Sequence, residues 1–330
     1  MWGNFEEIHH VDLILLNLLS PLILCFLLGV FAGGVKSDLH IPEAFSKGIA
    51  VYLMLSIGLQ GGVKLSHVGS QEVILPLLAG AFLSFAIPFL AFAILRNTTS
   101  LDKDNAAALS AHYGSIGIIT FATAVEFLRA QNIAAEEFLV AVAAIMETPA
   151  IISALILSHK SKKIELISWP VFKGIFFHGS VLLLLGGFLI GFLAGPEGVA
   201  PVKPFFFDLF KGFLCIFLLD IGCSVASRFK TIADLNWKVF IFAIYMPILN
   251  ALIGIWVGHS LLHLSLGGVT VFGTLCASSS YIAVPAAMKF AIPKANPALY
   301  MALSLGITFP FNIFVGIPLY FELAQLWANF

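Results

Sequence analysis

Charge is scarce in this chain. Only 11% of its 330 residues are Asp, Glu, Lys or Arg, where a soluble domain carries roughly a quarter. That shortage excludes a soluble globular fold of this length. A net charge of −1, with no basic cluster beyond Lys160, Lys162 and Lys163, argues against a nucleic-acid partner. The four cysteines, Cys25, Cys215, Cys223 and Cys276, lie in apolar segments without a C-x-x-C pair or metal-ligand spacing. Neither a disulfide framework nor a zinc site is expected. His112 stands near serines, but there is no G-x-S-x-G elbow and no acid spaced to orient the imidazole, so hydrolase chemistry is not expected. The other histidines, His9 and His10 among them, read as loop, tail or interfacial residues. The expectation is a protein that is not an enzyme and uses no organic cofactor.

What the chain has in abundance is apolar length. Hydrophobic residues make up 60% of it and Phe alone contributes 32, giving a mean hydropathy of +1.01. A helix needs about 20 apolar residues to cross a bilayer. Cutting at charges, Pro and Gly yields ten segments, at 13–34, 44–63, 72–95, 105–128, 137–158, 174–195, 205–226, 237–262, 268–291 and 298–325. The predicted fold class is therefore an all-α polytopic membrane protein. The first segment follows Glu6, Glu7 and Asp12 with no Lys or Arg before it. That is the wrong flank for a signal peptide, so a retained span is expected. With an outside N-terminus, thirteen of the seventeen Lys and Arg residues fall in cytoplasmic loops, and only Lys64, Arg129, Lys203 and Lys211 lie outside. This positive-inside bias places both termini outward.

The two halves repeat. Gly29-x-x-Ala32-Gly33 followed by Pro42 matches Gly191-x-x-Ala194-Gly195 followed by Pro204 at an offset of 162. Lys47-Gly48 and Ile57-Gly58 match Lys211-Gly212 and Ile221-Gly222 at an offset of 164. Five spans per half require the second copy to be inverted. The expected division is a first repeat at 1–158, a cytoplasmic link at 159–173 and a second repeat at 174–330. Gly29-x-x-x-Gly33 and Gly191-x-x-x-Gly195 read as close-packing faces.

Two polar breaks interrupt membrane-length segments at corresponding places. His112-Tyr-Gly-Ser-Ile-Gly-Ile-Ile-Thr-Phe121 is followed 164 positions later by Cys276-Ala-Ser-Ser-Ser-Tyr-Ile-Ala-Val-Pro285. Paired breaks of this kind point to a transporter binding site, because broken backbone survives in hydrocarbon only where protein or a water-filled cavity satisfies it. Half-helix N-termini expected at Gly114-Ser115 and Ser278-Ser279-Ser280 would offer N–H groups and serine hydroxyls to a small anion. Glu147, beside Pro149, and Asp220 are mid-helix carboxylates, which are candidates for a hard cation such as Na⁺ or, more plainly, hydrogen-bonding partners of a neighbouring helix. In the last segment Pro310 frees a carbonyl four residues back, and Thr308 and Asn312 add side-chain oxygens.

Taken together, Ile41-Pro-Glu-Ala-Phe-Ser46, Ile57-Gly-Leu-Gln-Gly-Gly62, Ala111-His-Tyr-Gly-Ser115, Met146-Glu-Thr-Pro-Ala150, Leu219-Asp-Ile-Gly222, the run from Leu275 to Ala287 and Gly306-Ile-Thr-Phe-Pro-Phe-Asn312 resemble the SbtA-type sodium-dependent bicarbonate transporters over about 20–320. The resemblance implies a ten-helix inverted repeat like that of the bile-acid symporters, with helices 4 and 9 crossing at their breaks. It implies a core of helices 3–5 and 8–10 moving as an elevator against a gate of helices 1, 2, 6 and 7. A homotrimer in the bacterial inner membrane is implied too. It assigns bicarbonate to Gly114, Ser115, Ser278, Ser279, Ser280 and Tyr281, and sodium to Glu147, Asp220, Thr308, Asn312 and Thr120. Cyanobacterial members carry a longer insertion between the halves and answer to a trimeric PII-like protein. The short 159–173 link here argues against that partner.

Three functions follow from these residues. A Na⁺-coupled symporter of bicarbonate or another small anion needs both the serine-lined breaks and the acids. A cation/proton antiporter would use Glu147 and Asp220 as exchanging acids. An anion channel would need neither, and Glu147 would repel its ion.

Overall fold

A backbone surrounded by hydrocarbon must bond to itself, and a helix does so within one segment. The structure, a computed structural model, describes residues 18–39, 41–65, 71–158 and 179–328, and among them the regular elements are all helical. Six are long and apolar enough to cross a membrane: Val73–Thr98, Lys103–Ala130, Leu139–Ser158, Leu182–Val202, Trp237–Leu261 and Pro297–Ala328. The chain is a multi-pass membrane protein. Pro21–Gly34 and Leu266–Ala277 are apolar but shorter, and Glu43–Leu65 and Phe210–Ala226 stand beside them. The expected link at 159–173, both termini and the start of the sixth expected span lie outside the described residues.

Two helix pairs are joined through glycine. Pro21–Gly34 packs on Phe210–Ala226, and Glu43–Leu65 on Gly179–Val199. A Cβ at Gly29 would lie 2.0 Å from the Leu219 carbonyl oxygen, and one at Gly222 would lie 2.2 Å from that of Phe26. In the second pair a Cβ at Gly62 would meet the Phe188 carbonyl oxygen at 2.0 Å, and one at Gly191 that of Leu59 at 2.3 Å. Each pair is reciprocal, backbone against backbone. Gly195 departs from the expected packing face. It adopts φ +63° with nothing near its Cβ position, because Pro196 disfavours helical geometry in the residue before it. Gly187 takes its place in the interface, with a Cβ position 2.9 Å from the Leu55 carbonyl oxygen.

The remaining helices group separately: Gln71–Thr98 packs on Lys103–Gly114 and Pro149–Ser158, and Trp237–Trp256 on Leu266–Ala277. Asp102 caps Lys103–Gly114 by accepting from the Asn105 N–H at 3.0 Å. Burial alone would raise the Asp102 carboxyl. The backbone and side-chain hydrogen bonds of Asn105 outweigh it and hold the group below its ordinary value. The cap therefore stabilises the helix above the ordinary carboxylate range and is lost as pH falls through the depressed value.

Two stability measurements test these points. Gly62→Ala forces a methyl into backbone and should destabilise by about 1–3 kcal/mol, while Gly48→Ala, with open space around it, should leave the melting temperature in detergent within experimental scatter. Asp102→Ala should cost about 1 kcal/mol at neutral pH, with the difference from wild type closing on acidification.

Candidate functional site

Each break is a short extended stretch between two half-helices. Lys103–Gly114 ends at Ser115, which is extended at φ −105°, ψ 155°, and Ile118–Ala130 begins after Gly117. Leu266–Ala277 ends at Ser278, φ −72°, ψ 164°, and Ala283–Ala291 begins after Ile282. This corrects the expected placement of the half-helix N-termini. Gly114 and Ser278 lie at C-terminal ends, and the free first-turn N–H groups start at Ile118 and Ala283, because reversing out of one half-helix takes several extended residues. Gly114 is instead a packing position, where a Cβ would lie 2.4 Å from Cγ of Pro88.

The breaks bond to each other. The Gly117 N–H donates to Ser278 Oγ at 3.0 Å, and the Ser280 N–H donates to the His112 carbonyl at 2.9 Å. His112 Nδ1 lies 2.5 Å from the Ser280 carbonyl oxygen. The carbonyls freed at the ends of the two first half-helices also find partners. Asn250 Nδ2 donates to Tyr113 O at 3.3 Å and Asn312 Nδ2 to Ala277 O at 3.0 Å. Those two carbonyls are 164 residues apart, the offset of the repeat. Asn250 and the brace role of His112 were not anticipated from sequence. A lone Asn inside the apolar Trp237–Trp256 helix, near Pro247, was the available signal.

Several buried polar atoms lack a partner: Thr120 Oγ1, Glu147 Oε2, Ser279 Oγ and Tyr281 Oη. Three of the four residues converge on Gly117. A Cβ there would lie 2.9 Å from Ser279 O, 3.1 Å from Thr120 Oγ1 and 3.3 Å from Cε1 of Tyr281. Glu147 sits where the fifth expected span is interrupted between Leu139–Met146 and Pro149–Ser158, and its carbonyl accepts from Ser115 Oγ at 3.3 Å. Buried unsatisfied groups are rare and costly. Here they belong to residues of the two breaks and to Glu147, whose carbonyl is bonded to the first break.

The other expected residues are already engaged. Thr308 Oγ1 donates to Ala243 O and pairs with the Tyr113 hydroxyl, both at 2.7 Å. The Tyr320 hydroxyl donates to Asn312 Oδ1 at 2.7 Å. Both residues lie at widened π-turns, Ser304–Thr308 and Asn312–Gly316, flanking Pro310. They act as braces. Ser280 Oγ accepts from the Val284 N–H at 3.4 Å. Asp220 follows the plainer of its two expected readings: it is half-buried and accepts from Ser46 Oγ of a neighbouring helix at 2.7 Å. The two acids are therefore unlike, one bonded to a neighbouring helix and one orphaned. Among the described residues no cluster of three or more His, Cys, Asp or Glu could hold a metal ion.

A cavity of about 330 Å³ opens beside the first break, lined by Phe121, Ala122, Val125 and Arg129 on one side and by Ile57, Gln60 and Phe210 on the other. At its rim Glu126 pairs with Arg129 at 2.5 Å and with Lys211 at 3.7 Å, and Arg129 reaches Gln60 at 3.3 Å. Gly117→Ala should wedge the convergence point apart. The expected result is a folded protein whose ligand-dependent rise in melting temperature is lost.

No curated protein sequence matches the chain. The sequence profile of the Na⁺-dependent bicarbonate transporter superfamily matches residues 21–325. That span contains both breaks, the orphaned acid and the glycine-paired helices, and the chain belongs to the Na⁺-dependent bicarbonate transporter superfamily.

Proposed function

We propose that this protein is a symporter that takes up bicarbonate together with sodium by alternating access. The observation that carries the reading is that Thr120, Ser279 and Tyr281, each with an orphaned hydroxyl, meet at Gly117 where the two breaks bond to each other. Glu147 and Thr120 hold Na⁺ through oxygen, the ligand type a hard cation prefers. Ser279, Tyr281 and the first-turn N–H groups at Ile118 and Ala283 hold the anion, with the helix N-termini supplying positive potential. Sodium bound beside Glu147 offsets the carboxylate that would otherwise repel bicarbonate. Each further Na⁺ gains about 2.3 kcal/mol per 100 mV of membrane potential.

The motion proposed is an elevator, with helices 3–5 and 8–10 sliding on helices 1, 2, 6 and 7. The separate grouping of the glycine-paired helices, and a cavity lined from both groups, support it. The reciprocal pairing, in which Gly29 faces the second half as Gly191 faces the first, is what two inverted repeats would produce. A bacterial inner-membrane location with both termini outside rests on the charge bias, and a homotrimer on the family resemblance. An antiporter built on two exchanging acids is weakened by the bond of Asp220 to Ser46.

The test is uptake of labelled inorganic carbon by proteoliposomes under an inward Na⁺ or an equal K⁺ gradient, at fixed CO₂ and pH. Uptake should require Na⁺, fall at least tenfold in Glu147→Gln, show a raised half-saturating bicarbonate concentration in Ser279→Ala, and retain its sodium dependence in Asp220→Asn. Equal uptake under K⁺ would overturn the reading.

A further inference from the structure

His112 is fully buried, touches none of the groups assigned above to sodium, and bonds to Ser280 at two points: its carbonyl accepts the Ser280 N–H and its Nδ1 meets the Ser280 carbonyl. A carbonyl oxygen only accepts, so Nδ1 carries the proton and the neutral ring donates. That tautomer leaves Nε2 as a bare acceptor, and it has no partner. The ring instead stacks at a tilt on Tyr300, with centroids 4.7 Å apart. A space-filling side chain would not leave a buried nitrogen orphaned to make one bond. We infer that His112 is the positioning residue of the substrate site: its Nδ1–H fixes the peptide plane between Ser280 and Tyr281 while its backbone carbonyl holds the plane between Ser279 and Ser280, and so it sets the flanking Ser279 and Tyr281 whose hydroxyls are unpartnered.

This rests on the symport reading, and the test separates the two. The variants are His112→Asn, whose amide nitrogen occupies the Nδ1 position, His112→Gln, whose amide reaches only the Nε2 position, and His112→Ala. Bicarbonate titrations of uptake in proteoliposomes at saturating Na⁺ are paired with the NaHCO₃-against-NaCl shift in melting temperature of the purified proteins. His112→Gln and His112→Ala should raise the half-saturating bicarbonate concentration tenfold or more while maximal rates change less than threefold. His112→Asn should return it to within threefold of wild type. Asn and Gln behaving alike, or wild-type half-saturation in His112→Ala, would overturn the positioning role. Should His112→Ala fail to give a monodisperse protein, the Asn–Gln comparison decides alone. If wild type takes up no inorganic carbon, the symport reading falls and the positioning role is decided by the bicarbonate-induced thermal shift, kept in Asn and lost in Gln. No such shift in wild type overturns both.

Discussion

The rest of the structure depends on how two interrupted helices satisfy their backbone where water is excluded. Gly117, Ser278, Ser280 and His112 bond across the breaks, and Asn250 and Asn312 take the carbonyls left at the half-helix ends. Without these partners each freed group would cost several kcal/mol in hydrocarbon. With them, the strand-like segments are held, and the side-chain atoms left unsatisfied include Thr120 Oγ1, Ser279 Oγ, Tyr281 Oη and Glu147 Oε2. The proposed site is drawn from what remains of the polar atoms after the backbone has been served.

That division explains the uneven roles of residues that look alike in sequence. Thr308 and Thr120 are both buried threonines beside a break. One bridges Tyr113 and Ala243, and the other has no partner. Ser278 gives its hydroxyl to a helix end and receives a cross-break N–H, whereas Ser279, one residue on, is open. Alternation along an extended chain sends neighbours to opposite sides.

Much of this was legible in the sequence. Apolar length, charge bias, the 164-residue offset and the two polar runs are one-dimensional signals, and they named the breaks and Glu147. The rest depends on where a side chain's hydrogen bond ends, which periodicity does not record. Asp220 looked like a twin of Glu147 until Ser46, 174 residues away, was seen beneath it. Gly195 looked like a packing glycine because it matched Gly33 in spacing, yet Pro196 gives it a turn to make. The half-helix N-termini were placed early because glycine and serine mark where a helix stops, and the length of the extended passage that follows is set by the opposing break.

The reciprocal glycine contacts have a mechanical consequence. Where backbone meets backbone at Gly29, Gly222, Gly62 and Gly191, no side chain can change rotamer to take up strain. Such a surface cannot yield gradually; it is either seated or parted. The four paired helices are therefore stiff where they meet, and in the elevator proposed above they would serve as the fixed rail.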